Sequence, residues 1–144
     1  MGASEDEIDQ MVSARMERQA ILDRDEPPLL WVVLDEGVLC RPVGGPDVMG
    51  QVEHLIETAQ RASVVVQVIP GAVGAHEGLA GAFVIADFQA APSIVYLETA
   101  LTGLVVERPA DVSAVTLRYE TLKTEALPRA ASLELLREVA KTWT

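Results

Sequence analysis

The sequence predicts an α+β domain, with a mixed sheet of about five strands packed with about four helices. Three observations predict this class. Two apolar runs of strand length flank a segment with helical spacing, which is typical of a parallel β-α-β unit. Three further strand-like runs follow with short turns between them, as in an antiparallel meander. Helical spacing also recurs at both ends, and the length fits a single domain over residues 1–144.

The N-terminal part, residues 1–24, is predicted to be a helix that docks on the rest of the domain. Ser4 and Glu7 have the spacing of a capping box, in which two side chains satisfy free backbone N–H groups at the helix start. A lone amphipathic helix is marginal in water, so its apolar face needs a partner surface. The apolar residues of that face are Ile8, Met11, Val12, Met16 and Leu22.

The sheet region is expected over residues 29–108. The apolar run 29–34 is too short for a core helix and predicts a strand buried on both faces. Asp47 is expected to cap a helix over 48–61, and the β-branched run 64–69 predicts the second strand. Strand, helix and strand in this order predict a right-handed crossover with parallel strands. The three meander strands are expected at 82–88, 93–99 and 104–108.

The C-terminal part, residues 109–144, is predicted to hold two helices, at about 110–126 and 130–142. Apolar residues of the first recur at spacings of three and four over two heptads. Because that is too short for a coiled coil, core packing is favoured over dimerisation through this helix.

The charge balance excludes several classes of partner. The chain has 22 acidic residues against 11 basic ones, a formal net charge of −11. This disfavours direct nucleic-acid binding and binding to an anionic membrane surface, since both depend on Lys and Arg. Neither a signal peptide nor an apolar run of membrane-helix length is visible, so a cytoplasmic protein is expected. The single cysteine, Cys40, excludes an internal disulfide framework.

The segment 71–81 is unusual because four of its eleven residues are glycine. It follows a strand, as phosphate-binding loops do, but it has no Gly-Lys-Ser/Thr and no G-x-G-x-x-G, so no cofactor is predicted. The segment is either a wide connection into the next strand or the rim of a pocket or interface, with His76 and Glu77 at its tip. Because His54 is the only other histidine, no metal site is predicted.

The candidate ligand-binding site lies where the first two strands end. Ligands of sheets with parallel strands tend to bind at the carboxyl ends of those strands. Glu36 and Arg41 follow the first strand and His76 lies in the loop after the second, so all three are expected at one sheet edge. A structural salt bridge between Glu36 and Arg41 is the alternative. No pattern typical of a Ser-His-Asp or Cys-His catalytic site occurs, so no catalytic residue is assigned.

Two further polar residues lie at alternate positions of a predicted meander strand. Tyr96 and Glu98 therefore share one face of the sheet. That face is either turned toward a pocket, where Glu98 would act as a base, or turned toward solvent as an ordinary outer face.

Several segments, in order, resemble an uncharacterised actinobacterial domain that lies C-terminal to an Xre-type helix-turn-helix DNA-binding domain. The resemblance covers about residues 8–140, nearly the whole chain. The segments that carry it include Arg15-Met16-Glu17-Arg18-Gln19-Ala20-Ile21-Leu22, Leu34-Asp35-Glu36-Gly37-Val38-Leu39, Val66-Gln67-Val68-Ile69-Pro70, Gly74-Ala75-His76-Glu77-Gly78 and Val95-Tyr96-Leu97-Glu98.

The resemblance implies the regulatory half of a transcription factor, which binds a small-molecule ligand or a small partner protein. It transfers no catalytic residue, and no helix-turn-helix precedes residue 8. The chain is therefore expected to be either an excised domain or a natural stand-alone protein. Three hypotheses follow: a non-enzymatic binding module, a stand-alone cyclase or isomerase acting on an apolar natural product, and a homodimer formed through the first helix and the sheet edge.

Overall fold

The computed structural model describes residues 4–41 and 48–143, and leaves out the side chains of residues 48 and 49. Its five helices in this part of the chain are α1 (Glu5–Gln19), α2 (Glu36–Leu39), α3 (Val48–Ala59), α4 (Pro109–Glu125) and α5 (Arg129–Thr142). Its five strands are β1 (Leu30–Asp35), β2 (Val64–Ile69), β3 (Phe83–Ala86), β4 (Ile94–Glu98) and β5 (Gly103–Val106). Short 3₁₀ turns cover Ala20–Asp23, Gly71–Val73 and Glu77–Ala80. The predicted cap Asp47 lies outside the described residues.

The α+β class is confirmed, with a parallel pair followed by an antiparallel meander, but the five strands form two sheets rather than one. β1 pairs with β2 in parallel, and β3, β4 and β5 form the antiparallel sheet. The outer edge of β2 is taken by the turn between α4 and α5, because the Leu127 N–H donates to Val68 O at 2.9 Å and the Val68 N–H donates to Ser132 Oγ at 3.0 Å. On the outer edge of β1, the Tyr119 hydroxyl donates to Trp31 O at 2.9 Å.

The main core lies on one face of the parallel pair, under α3 and α5. Alternate residues of β2 point to the same face, and Val64, Val66 and Val68 are all buried there. They pack with Leu39 after β1, Ala59 of α3, and Leu136 and Val139 of α5. The β-branched run that predicts a strand therefore supplies the centre of this core.

Helix α4 covers the opposite face of the same sheet. The Lys123 Nζ lies 4.5 Å from the centre of the Trp31 ring, and Phe83 of the meander packs edge-on against Tyr119. Burial, with a smaller contribution from the Glu120 charge, raises the pKa of Tyr119 to about 12. Gln67 is satisfied on this face, since it accepts a hydrogen bond from Trp31 Nε1 at 2.8 Å and donates to Leu127 O at 2.9 Å. Thus α4 separates the parallel pair from the meander.

Helix α1 has the predicted cap but not the predicted docking surface. The Glu7 N–H donates to Ser4 Oγ at 3.3 Å, and the Ser4 N–H donates to Glu7 Oε2 at 2.8 Å. No residue of α1 is buried. The turn after α1 does make a contact, since Arg61 Nη1 lies 2.8 Å from Asp23 Oδ1. Among the described residues, no helix has the length and apolarity needed to cross a membrane.

Candidate functional site

The carboxyl ends of β1 and β2 meet at one sheet edge and are joined there by side chains. His76 Nε2 lies 2.9 Å from Asp35 Oδ2, and the Gly71 N–H donates to Glu36 Oε2 at 2.6 Å. The structure therefore places Glu36 and His76 at the edge where parallel pairing predicts them. Ligand binding by these residues stays a prediction.

The His76 ring is packed inside this edge rather than presented to solvent. Its side chain is 3% exposed, and the Asp35 side chain is 33% exposed. Because an ionised carboxylate can only accept a hydrogen bond, Nε2 carries the shared proton. The other nitrogen, Nδ1, is buried without a hydrogen-bond partner in the described part of the chain. Neither ring nitrogen can reach a substrate in this conformation, so the pair acts as a clamp between β1 and the glycine-rich loop.

Gly78 makes room for the buried ring. A Cβ at this position would lie 3.0 Å from His76 Nδ1, 3.1 Å from its Cε1 and 3.4 Å from a methyl carbon of Leu122. A larger residue would force the imidazole or helix α4 to move. The glycine therefore allows the loop to close over His76.

The surroundings of Asp35 favour its ionised form. The hydrogen bond from His76 is the main cause that holds the pKa of Asp35 below its ordinary value of 3.8. The Gly37 N–H, which donates to Asp35 Oδ1 at 2.7 Å, and the nearby Arg41 charge act in the same direction, while burial opposes them.

We expect the Asp35→Asn variant to be less stable than the wild type at neutral pH, by on the order of 1 kcal/mol, because the charge-assisted hydrogen bond is lost. The folded-state pKa of Asp35 is lower than the unfolded one, so its contribution is present above pH 3.8 and is lost as the pH falls through the lowered value. Urea unfolding at neutral and acidic pH measures this difference. It should shrink in acid, whereas Asp25→Asn, at an exposed carboxylate, should show no such trend. A difference that is constant with pH would contradict the clamp.

The remaining predicted site residues lie elsewhere. Glu77 faces Arg118 of α4 at 3.5 Å, and both side chains are exposed, so this ion pair adds little to stability. Tyr96 and Glu98 lie on the outer, exposed face of the meander, and within the described residues no hydrogen bond or ion pair joins them to the His76 clamp. The alternative salt bridge between Glu36 and Arg41 is not formed there either, since Glu36 accepts from the backbone of Gly71.

Arg41 instead lines a groove that the sequence does not predict. Its volume is about 600 Å³, and it lies between the turn after α1, the start of β1, α2 and α3. Its apolar walls include Leu22, Leu30, Leu39, Val52 and Leu55. Its polar members include Arg41, His54, Thr58 and Arg61.

Part of the groove carries a sequence signal. Val52 and Leu55 lie at helical spacing in the helix predicted over 48–61, and Leu30 belongs to the predicted first strand. Apolar spacing indicates that these residues leave water, but it does not show that the turn after α1, β1, α2 and α3 pack so as to leave a groove between them. That outcome depends on how the turn after α1 is held to α3 by Asp23 and Arg61.

The chain matches the model of a family described as a domain of unknown function, DUF5753, over residues 1–138. It belongs to the DUF5753 family. Comparison with curated proteins gives no match, and comparison with solved structures gives none. The membership fits the uncharacterised domain that the sequence resembles, and it assigns no role to any residue. In the described part of this DUF5753 chain, no cluster of three or more His, Cys, Asp or Glu residues is arranged to hold a metal ion.

Proposed function

We propose that this DUF5753 chain is a non-enzymatic regulatory domain that binds a mainly apolar small molecule in the groove beside α3. The groove itself is the observation that carries the proposal. Its volume of about 600 Å³ falls in the range of small-molecule sites, roughly 300–1,000 Å³, and such sites have apolar walls with a few polar groups.

The polar members of the groove favour a ligand with an anionic group. Arg61 is already paired with Asp23 at 2.8 Å. Arg41 makes no ion pair among the described residues, although its charge helps to lower the pKa of Asp35. An anion at the rim would pair with Arg41, while an apolar body would fill the space between Leu22, Leu39 and Leu55. A guanidinium also suits carboxylates and sulfonates because it offers several donors in a fixed plane.

The groove also offers a route from ligand to helix α1. Gln19, Leu22 and Asp23, which end α1 and form the turn after it, line the groove. A bound molecule would favour one orientation of α1 over others, provided that its contacts with the groove residues differ between those orientations. In actinobacterial Xre-type regulators, whose sensor half this chain resembles, α1 would then pass the bound state toward a DNA-binding domain. The net charge of −11 supports a role for this chain that needs no direct contact with nucleic acid.

Decanoate is a suitable probe, since it has one carboxylate on an apolar chain. We expect saturable binding by isothermal titration calorimetry and at least about tenfold weaker binding to Thr58→Trp, because the indole fills the groove. Glu57→Trp, an exposed neighbour on α3 that does not line the groove, is the matched control and should bind like the wild type. Decylamine should bind more weakly than decanoate, and Arg41→Ala should reduce that preference. Equal affinity in Thr58→Trp and Glu57→Trp, or no binding to the wild type, would contradict the proposal.

The enzyme hypothesis stays a prediction. Among its candidate residues, His76 is the natural acid–base group, but its two nitrogens are hydrogen-bonded to Asp35 or buried. A cyclase or isomerase at this edge would need a conformation in which the clamp is open.

A further inference from the structure

Two apolar faces are left exposed by the part of the chain that the structure describes. The first is the stripe on α1, where Ile8, Met11, Val12 and Met16 are each between 48% and 61% exposed. Their spacing places them on one side of the helix. Arg15 and Arg18 border this stripe, and they line the same shallow depression as Ile8, Met11 and Val12.

The second is the outer face of the meander. Val84 of β3, Tyr96 of β4 and Val105 of β5 are directly opposite one another across the three strands, and they are 58%, 39% and 52% exposed. The outer face of a solvated antiparallel sheet normally carries polar residues. Glu98 is the charged residue of this face in the described strands, opposite Gly103.

Tyr96 lies flat along this face instead of projecting from it. The space that a Cβ of Gly103 would need is filled by the Tyr96 ring and hydroxyl, so residue 103 must be small for the ring to lie there. The result is a smooth apolar surface about three strands wide, or roughly 10 Å between the outer strands. That width matches the diameter of one helix, roughly 10 Å, and the 15 residues of α1 extend about 22 Å.

In the described structure the two faces do not cover each other, since the residues of both are exposed. Arg61 ties the end of α1 through Asp23 Oδ1 at 2.8 Å and Leu22 O at 3.4 Å, on the side of the parallel sheet that carries α3 and α5. The meander lies on the other side, beyond α4. The parallel sheet and α4 therefore lie between the end of α1 and the meander.

We propose that α1 of one copy packs on the outer meander face of a second copy, and that the exchange is reciprocal in a symmetric dimer. Helix on sheet is the usual way to bury such faces, and exchange of an identical element is a low-cost route to a dimer. Charge complementarity supports this pairing, since Arg15 and Arg18 border the helix stripe and Glu98 lies on the sheet face. The observations behind this inference, at α1 and the meander, are separate from those behind ligand binding in the groove.

Sedimentation velocity of the full chain over a range of concentrations tests the exchange. The wild type should be a dimer. Met11→Glu on α1 and Val84→Glu on β3 should each weaken dimerisation at least about tenfold, since each places a charge in an apolar contact. Leu117→Glu, at a residue of α4 that is 69% exposed and outside both faces, is the matched control and should remain dimeric. Circular dichroism of each variant confirms that it is folded.

Mixing the two variants distinguishes the exchange from other dimers. Met11→Glu keeps an intact meander and Val84→Glu keeps an intact α1, so their mixture should form a heterodimer with one of the two contacts. Arg15→Glu and Glu98→Arg should each weaken the dimer, and the double variant should recover affinity. A monomeric wild type would overturn the proposal. If only one of the two single variants dissociated the dimer, the proposal would also be overturned. In that case α1 would pair with α1, or the meander with the meander. Assemblies that grow beyond a dimer would also overturn the proposal.

Discussion

Replacing Leu136 with alanine is expected to lower the free energy of unfolding by about 2–5 kcal/mol. Leu136 is fully buried, and it packs from α5 against Val64, Val66 and Val68 of β2. Removing its three outer carbons loses apolar burial and leaves a cavity that the strand and helix close only in part. This is the largest effect that we expect from a single truncation in the described core.

Urea unfolding followed by circular dichroism measures the Leu136 effect. Leu117→Ala, the same change at an exposed site on α4, should alter stability by less than about 0.5 kcal/mol. The Leu136 variant should still bind decanoate at temperatures where it is folded, because Leu136 does not line the groove. A loss below about 1 kcal/mol would mean that α5 is not packed on β2 as described.

The Ser132→Ala variant is expected to lose about 1–3 kcal/mol, because a buried backbone N–H loses its partner. Ser132 Oγ accepts from the Val68 N–H at 3.0 Å and donates to Leu127 O at 3.0 Å. The serine is fully buried, so water cannot replace the hydroxyl. Together with the Leu127 N–H, which donates to Val68 O, this side chain closes the outer edge of β2.

Hydrogen exchange gives a local readout of the Ser132 effect. The Val68 amide should exchange faster in Ser132→Ala than in the wild type, by more than the change in global stability accounts for. Ser113→Ala, at an exposed position of α4, is the matched control and should leave both stability and exchange unchanged within about 0.5 kcal/mol. An equal response of the two serine variants would contradict the edge-closing role.

The same serine explains why the sequence predicts the strands but not their division into two sheets. Hydrophobic periodicity defines each strand locally, and β2 is found at the predicted residues, Val64–Ile69. Whether a third strand joins β2 depends on what occupies its edge. The occupant comes from Leu127 and Ser132, about sixty residues later in the chain. The apolar spacing of α5 does not show that a serine in its first turn will hydrogen-bond to β2.

The candidate site was predictable in part for a similar reason. Parallel pairing places the ends of β1 and β2 together, and this predicts Glu36 and His76 at one edge. Asp35 was not among the predicted site residues, yet it is the direct partner of His76. A signal did exist, because Asp35 ends β1 opposite Ile69, the last residue before the turn into the glycine-rich loop. For the groove, apolar spacing marks some of the wall residues but does not show that their segments come together, because those segments share no pattern.

We expect the groove beside α3, and not the His76 clamp, to bind the ligand. Amide chemical shifts of the full chain titrated with decanoate test this most directly. We expect saturable shifts at groove residues, including Leu22, Leu30, Leu39 and Thr58, and none above background at Gly71 or His76. Shifts that cluster around Asp35, Gly71 and His76, or no saturable shifts in the groove, would contradict the claim.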